Sequence, residues 1–250
     1  VMSTKYLGDK FDIHGGGMDL LFPHHEAEIA QCNAATCHLH DAPKDEAKYW
    51  MHNNMITYEG QKMGKSLGNA ISLKEFYSGD HPLLDQAYSP LTIRFFILQA
   101  HYRSTLDFSN QALQAAEKAL RRMGEAIKRL EGISYEGKMV SPRPEMEKNL
   151  STFLDDVKSF LNDDFNTAKV IARMFDTLPV INQLYKHDGP TLGVSQEIFE
   201  AFRKDFMQIF EEIMGLKVES QEDNQANDTI DGLMKVLIEL RKKAREEKNW

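Results

Sequence analysis

Residues 11–28, FDIHGGGMDLLFPHHEAE, bring histidines, carboxylates and three consecutive glycines into one short run. The histidines are His14, His24 and His25, and the carboxylates include Asp19 and Glu28. Imidazole nitrogens and carboxylate oxygens are both zinc ligands in proteins. The run therefore indicates a binding or metal site near the start of the chain.

His24 and Glu28 have the spacing of two ligands on one helix. Pro23 can begin a helix, because its missing N–H costs nothing at the first helical position. On a helix over residues 23–35, His24 and Glu28 lie on the same face, about one turn apart. They could then share one zinc ion. An ordinary helix start with a solvated histidine and glutamate has the same spacing, so the spacing leaves both interpretations open.

The residues before Pro23 predict a strand that ends in a glycine loop. Residues 10–13 have the composition of a short strand end. Three glycines weaken regular structure, and they suit a backbone that turns sharply or lets a ligand come close. We therefore expect a strand, a glycine loop at residues 15–17 and then a helix start.

Longer motifs give the sequence a resemblance to one family. HGGGMDLLFPHHEAEIAQ at residues 14–31, YWMHNNMI at 49–56 and KMGKSLGN at 62–69 follow the order of motifs in the catalytic core of cysteinyl-tRNA synthetases, a class I family. AHYRSTLDFS at 100–109 and DDFNTAKV at 163–170 continue the resemblance. It therefore covers most of the chain.

This resemblance implies roles for residues of the first two motifs. It implies that His24 and Glu28 bind zinc and that the metal binds the thiolate of the substrate cysteine. The implied substrate pocket includes His14, His25 and Asp19, with Asp19 beside the aminoacyl-adenylate. ATP, bound with magnesium, is expected to contact Gly16, Gly17, Asp19, His52 and Lys65.

The segment KMGKS at residues 62–66 resembles the KMSKS loop of class I synthetases. Adenylation passes through a pentavalent phosphorus with extra negative charge, and lysines on a mobile loop can stabilise that charge better than the ground state. Lys62 and Lys65 are therefore the expected catalytic residues. Gly64 replaces the usual serine, which removes a hydroxyl and leaves both lysines in register.

Composition limits the class of protein. Of the 250 residues, 42% are hydrophobic and 27% are charged, which suits a globular protein of one or two domains. No apolar run approaches the roughly 20 residues of a membrane helix, and the N-terminus lacks the residue order of a signal peptide. A cytoplasmic location is therefore the default expectation.

The formal net charge of −8 argues against a protein that holds nucleic acid by bulk electrostatics. Binding of tRNA would have to depend on local basic patches. Solvated helix faces explain the candidate patches equally well. These candidates are Arg121, Arg122, Lys128 and Arg129, and the basic residues of 241–245.

The second half of the chain has the periodicity of helices. Residues 91–100 predict a buried helix, and apolar residues three and four apart between Ser109 and Gly132 predict a long amphipathic helix. Further helices are predicted over residues 145–161, 167–186 with a kink at Pro179, 195–214, and from about Asp228 onward. Residues 219–227 are expected to be a polar linker.

Other segments have shorter signals. β-branched and aromatic residues at 55–58 predict a short strand, and a turn is expected at Glu59 and Gly60. Residues 71–90 are expected to be a loose connection with an inserted surface loop around residues 79–86, because Gly79, Pro82 and Pro90 interrupt them. Core packing is expected for Trp50, Phe153, Leu154, Val157, Phe160 and Leu161.

The expected fold class is mixed α/β and mainly α, with the C-terminal part of a Rossmann-like class I catalytic core followed by a helical bundle. Residues 1–75 would form the nucleotide-binding core with the lysine loop, and residues 76–108 a connecting segment. Residues 109–250 would form a bundle of the tRNA- or anticodon-binding type, truncated at its C-terminal end.

The resemblance also implies parts that lie outside this sequence. In the family, two zinc-ligand cysteines and a HIGH-type phosphate motif precede the position that matches Val1. The chain is therefore expected to be a fragment of a cysteine-tRNA ligase, with an incomplete zinc site and no activity alone. Its parent is expected to be a monomer that uses cysteine, ATP and tRNA(Cys).

Two other functions stay open at this point. A related ligase of mycothiol synthesis joins cysteine to an amino sugar and shares the zinc pocket and the phosphate loop, but it lacks the full helical bundle. The helices predicted between residues 113 and 214 weigh against it. Alternatively, the chain could be a non-catalytic module that binds the body of a tRNA through its helices.

Overall fold

The computed structural model describes residues 2–8, 10–36, 47–135, 143–187 and 193–217. In these ranges, strands and short helices come first and longer helices follow. The polar linker predicted at residues 219–227, the helix predicted from Asp228 and the basic run near the end lie outside the described residues. Among the residues that are described, no helix combines the length and the apolar character needed to cross a membrane.

A parallel pair of strands carries the first motif. After helix α1 (Met2–Leu7), strand β1 (Phe11–Gly17) pairs with β2 (Ala47–Asn53), and helix α2 (Glu26–Thr36) lies between them in sequence. The register places Phe11 opposite Ala47 and Gly17 opposite Asn53. This order, strand then helix then parallel strand, is the unit from which doubly wound α/β folds are built.

Strand β1 continues through all three glycines, so the predicted glycine loop is wrong. Pairing with β2 holds the extended backbone from Gly15 to Gly17. Close neighbours explain the glycines instead, since a Cβ atom on Gly16 would lie 2.7 Å from His25 Cε1 and one on Gly17 would meet the carboxylate of Asp19. Strand pairing is a long-range contact, which local glycine content does not reveal.

The chain between β1 and α2 makes two short helical turns. Residues Met18–Leu20 form a 3-10 turn, and Leu21–His25 form a wider turn that leads into α2. Phe22 interrupts this segment with an extended backbone, φ −129° and ψ 130°. Continuous helical backbone therefore follows Phe22, in agreement with a helix that begins near Pro23.

A second small sheet supports the lysine loop. Strand β3 (Ile56–Tyr58) lies between β4 (Gln61–Lys62), which is antiparallel to it, and β5 (Leu106–Phe108), which is parallel. The turn between β3 and β4 has positive φ at both Glu59 and Gly60, 49° and 76°, as the common two-residue hairpin turn requires. The strand and turn predicted at residues 55–60 are thus confirmed.

Two further helices join this sheet to the bundle. Helix α3 (Leu73–Ser78) begins with a reciprocal capping box between Ser72 and Glu75, and it was missed in the sequence because the segment was interpreted as a loose connection. In the irregular segment that follows, residues 85–87 are exposed, whereas Leu84 and Tyr88 are buried in the core, with exposed fractions of 9% and 1%. Helix α4 (Pro90–Leu98) confirms the predicted buried helix.

The remaining described helices form the bundle. Helix α5 (Asn110–Glu131) begins at Ser109, whose side chain accepts a hydrogen bond from Ala112 N–H, and ends at Gly132 as predicted. One helix was predicted over residues 145–161, but the backbone turns at Thr152 and divides it. The other helices are α6 (Pro144–Ser151), α7 (Phe153–Asn162), α8 (Thr167–His187), which contains Pro179, and α9 (Gln196–Gln208), which continues into a wide turn at Ile209–Ile213.

Aromatic side chains fill the centre of the bundle. Phe153, Phe202 and Phe206 form a cluster with ring centroids 5.2–5.5 Å apart. The predicted core residues of α7 are confirmed, because Phe153 and Val157 are buried and the others pack against the core. Those others are Leu154, Phe160 and Leu161.

Candidate metal and nucleotide site

Three side chains from separate elements meet beside the parallel strands. His14 comes from β1, His25 from the turn before α2, and Glu28 from the first turn of α2. One ligand atom from each lies within 4.8 Å of the others. The Oε2 atom of Glu28 is 3.6 Å from Nε2 of His14. We refer to these three residues as the His/Glu cluster.

Burial favours the neutral form of the central histidine. His25 is 6% exposed. Its pKa is lowered, first by burial and then by the nearby imidazoles of His14 and His52. A neutral imidazole keeps the free lone pair that a metal needs. Burial of His25 therefore favours the neutral form of its imidazole, which is the form that binds a metal.

A second strand orients the cluster. Nδ1 of His25 lies 2.8 Å from Nε2 of His52 on β2, a hydrogen bond in which one ring donates and the other accepts. Trp50, two residues earlier on β2, stacks on His14 with centroids 4.3 Å apart and an angle of 16° between the planes. Because alternate residues of a strand share a face, Trp50 and His52 support the cluster from the same side.

The donor set fits zinc. Two imidazoles and one carboxylate can supply three of the four ligands of a tetrahedral zinc ion. Within the described residues, Nδ1 of His14 is buried without a hydrogen-bond partner, so that ring still has an unused polar atom in the site. A metal-ligating histidine commonly bonds a neighbour through its other ring nitrogen, as His25 does with His52.

The predicted zinc pair is only partly contained in this cluster. Glu28 belongs to it, whereas His24 is exposed and is not one of the three grouped residues. His25 precedes Glu28 by three residues, and residues three apart also share a helix face. The pair His24 and Glu28 stays a prediction, and the structure adds His14 and His25, which were predicted for the substrate pocket.

Four of the five residues predicted to contact ATP lie around the ends of both parallel strands. Gly16 is opposite His52 and Gly17 is opposite Asn53 in the register. Asp19 is exposed in the turn directly after β1. Ligands of open α/β sheets bind outside the carboxyl ends of the strands. The location suits these predicted contacts, which stay predictions.

The lysine loop presents two exposed cations. Lys62 ends β4, and Lys65 begins a 3-10 turn that ends at Gly68, where φ is 68°. Neither lysine forms an ion pair with another residue in the described parts of the chain. Both ammonium groups are therefore available to an anionic ligand.

Sequence reasoning missed two supports of the site. The packing role given to Trp50 omitted its stacking on His14, and His52 was assigned to the nucleotide without its bond to His25. The spacing of Trp50 and His52, two apart in an aromatic and polar segment, was the available signal, because it places both on one face of a strand.

Family models match two parts of the chain. A model described as the catalytic domain of class I (C) tRNA synthetases matches residues 1–118. A model of the DALR domain matches residues 156–219. The fold also resembles a crystal structure of a ternary complex of LeuRS, tRNA and LeuAMS from Agrobacterium radiobacter K84 (agnB2), with TM-score 0.56 and 16% identity over 80% of this chain and 25% of that one. The chain is thus a class I aminoacyl-tRNA synthetase in fold, and the predicted fold class is confirmed.

The curated relatives of the chain include cysteine–tRNA ligases from several bacteria. The chain is 48% identical over 249 residues to the cysteine–tRNA ligase of Cytophaga hutchinsonii, and 46% identical over 251 residues to that of Parabacteroides distasonis. It is 40% identical over 252 residues to that of Chlorobaculum tepidum. All of this chain is covered, but only 47–48% of each relative, so the chain spans about half their length. Over its whole length the chain is similar to cysteine–tRNA ligases.

Proposed function

We propose that the protein containing this chain activates cysteine with ATP and transfers it to tRNA(Cys). The observation that carries the proposal is the His/Glu cluster at the parallel strands, in a chain similar over its whole length to cysteine–tRNA ligases. We also propose that the 250 residues alone do not complete the reaction, because they span about half of those relatives.

The cluster would select the amino acid. A bound zinc ion would bind the cysteine thiolate, a soft ligand that the hydroxyl of serine cannot match. Glu28 belongs to both the predicted pair and the observed cluster, whereas His24 on one side and His14 with His25 on the other are competing ligands. His52 would hold the ring of His25 through the 2.8 Å hydrogen bond.

The lysine loop would act on ATP, which would bind with magnesium. Lys62 and Lys65 are exposed, and their positive charges would stabilise the negative charge that develops at the α-phosphorus. Gly16 and Gly17 form the end of strand β1, and the carboxylate of Asp19 lies beside Gly17. We propose these residues and His52 for the pocket of ATP and the adenylate.

The helical bundle would bind tRNA. The whole protein would act in the cytoplasm and as a monomer. The match of a DALR model to residues 156–219, and the presence of tRNA in the LeuRS complex that shares the fold, support this assignment. Helices α5 to α9 also weigh against an amino-sugar ligase, which the resemblance describes as lacking a full bundle. In a purely non-catalytic module the His/Glu cluster would have no function.

Metal content tests the proposed site. Elemental analysis of the full protein that contains this chain, purified without added metal, should find about one zinc per molecule. His25→Ala should lose it, because His25 is the most buried ligand, and His24→Ala is the matched exchange of its exposed neighbour. Loss of zinc in both variants would mean that both histidines are ligands. A full zinc content in His25→Ala would show that the His/Glu cluster is not the zinc site.

Activity tests the proposed reaction. The full protein that contains this chain should exchange pyrophosphate into ATP only when cysteine is present. Lys65→Ala should reduce this exchange by about 100-fold or more, the typical loss when one transition-state contact is removed. Exchange that ignores cysteine, or that serine supports equally, would contradict the proposal.

A further inference from the structure

We propose that Asn69 is a positioning residue of the lysine loop and sets the conformation in which Lys62 and Lys65 meet the phosphates of ATP. This inference rests on the proposed function, since it deepens the role given to the two lysines. Asn69 acts on the loop backbone and has no assigned contact with substrate.

Asn69 is buried within an exposed loop. Its exposed fraction is 9%, while residues 65–68 are all exposed. Its Oδ1 atom accepts a hydrogen bond from Gly64 N–H at 2.8 Å, and its Nδ2 atom donates to the carbonyl of Lys62 at 3.1 Å. One side chain thus holds the backbone on both sides of Met63.

These two bonds control how the lysines are placed relative to each other. Lys62 ends strand β4, and Lys65 opens the 3-10 turn that follows Gly64. That turn closes through Leu67 N–H to the Gly64 carbonyl at 3.0 Å. Gly64 is the joint between strand and turn, and a glycine has more backbone freedom than any other residue. The Asn69 amide therefore restrains Gly64. The backbone conformation of Gly64 sets the distance between the ammonium groups of Lys62 and Lys65.

Only a carboxamide fulfils both roles here. It offers an acceptor and a donor on neighbouring atoms, whereas an ionised carboxylate only accepts. An aspartate at position 69 could still accept from Gly64 N–H, but its charged form would repel the carbonyl of Lys62. A protonated carboxyl regains one O–H donor. Asn69→Asp should therefore restore the restraint as pH falls.

The first test measures cysteine-dependent pyrophosphate exchange in the full protein. Asn69→Ala should reduce kcat by about 100-fold, the scale of loss for a small misplacement of reacting groups, and leave KM for cysteine unchanged. Asn69→Asp should approach the wild-type rate toward acid pH. The matched control is Asn182→Ala, which removes a 2.6 Å hydrogen bond to Arg129 inside the bundle and should leave kcat unchanged.

The second test is independent of activity. Hydrogen exchange at the Gly64 amide should be slow in the wild type and fast in Asn69→Ala, because the amide loses its acceptor. Wild-type kcat in Asn69→Ala, or a Gly64 amide that stays slow in that variant, would overturn the inference. An inactive wild-type protein would instead contradict the proposed function, and Gly64 exchange would still decide the role of Asn69.

Discussion

In the helical bundle Phe153, Phe199 and Phe206 are 0% exposed, whereas Ile13 and Tyr49 of the β1–β2 sheet are 55% and 57% exposed. Each helix pairs its backbone groups internally and buries one apolar side against its neighbours. A parallel sheet usually has both faces covered, and two strands are marginal without further packing. The bundle therefore carries its own stability, while the sheet that bears the His/Glu cluster depends on further packing partners.

The largest effect is expected from a test that compares a buried phenylalanine of the bundle with an exposed one near the sheet. Phe153→Ala should lower the free energy of unfolding by about 3–5 kcal/mol, because it empties a filled core position. Phe22→Ala removes the same side chain from the sheet region, where Phe22 is 79% exposed, and should change it by less than about 0.5 kcal/mol. Denaturant unfolding measures both. Equal losses would mean that the two regions do not differ in burial.

A medium effect is expected inside the bundle at Arg173. Its Nε donates to Asp156 at 2.8 Å, and the side chain is only 10% exposed. Arg173→Ala should cost about 1.5–3 kcal/mol, the usual range for a hydrogen bond to a charged group. Arg203, paired with Glu200 on the helix surface, is the control, and Arg203→Ala should cost at most about 1 kcal/mol. A larger loss at Arg203 would contradict the argument from burial.

The smallest effect concerns the junction between the two regions. Asp164, just before α8, accepts a hydrogen bond from the Tyr102 hydroxyl at 2.7 Å and forms an ion pair with Arg103, whose Nε lies 2.6 Å from Oδ2 of Asp164. The Tyr102 bond, and then the charge of Arg103, hold the pKa of Asp164 below its ordinary value. A lowered pKa in the folded state stabilises the protein above the unfolded pKa, about 3.9, and this stabilisation is lost as pH falls through the folded pKa.

Unfolding measured from about pH 7 to pH 2 tests this junction. Asp164→Asn should reduce stability at neutral pH and flatten its decline in acid, because the charged partner of Arg103 is gone. Asp163→Asn, which removes the neighbouring surface bond to Lys169, is the matched exchange and should change stability at neutral pH by less than Asp164→Asn does. An unchanged acid decline in Asp164→Asn would show that the junction does not contribute.

Local signals predicted much of the fold. Ser109 lies at the predicted start of the long helix, its side chain accepts a hydrogen bond from Ala112 N–H, and Gly132 follows the last residue of α5. Ser195, where the fourth helix was predicted to begin, accepts a hydrogen bond from Ile198 N–H in the same way. These predictions succeed because a cap depends on a few neighbouring residues. The capping box at Ser72 and Glu75 was an equally local signal of α3, and it was outweighed by the breakers at Gly79 and Pro82.

The site was harder to predict because it depends on pairing between distant residues. Pairing of β1 with β2 places His14 beside Trp50, and the turn after β1 brings His25 to His52 on β2. Helical spacing left His24 and Glu28 open as a pair, and the family resemblance implied that they bind zinc. The exact start of a helix decides which of two adjacent histidines faces inward, and element boundaries are uncertain by a few residues in sequence reasoning.

Trp50 also gives the site an optical signal. The sequence contains two tryptophans, Trp50 and Trp250. The indole of Trp50 is stacked on His14, with ring centroids 4.3 Å apart. A charged or metal-bound imidazole next to an indole changes its emission. Tryptophan fluorescence in a Trp250→Phe background would therefore follow occupancy of the His/Glu cluster in real time and without a label.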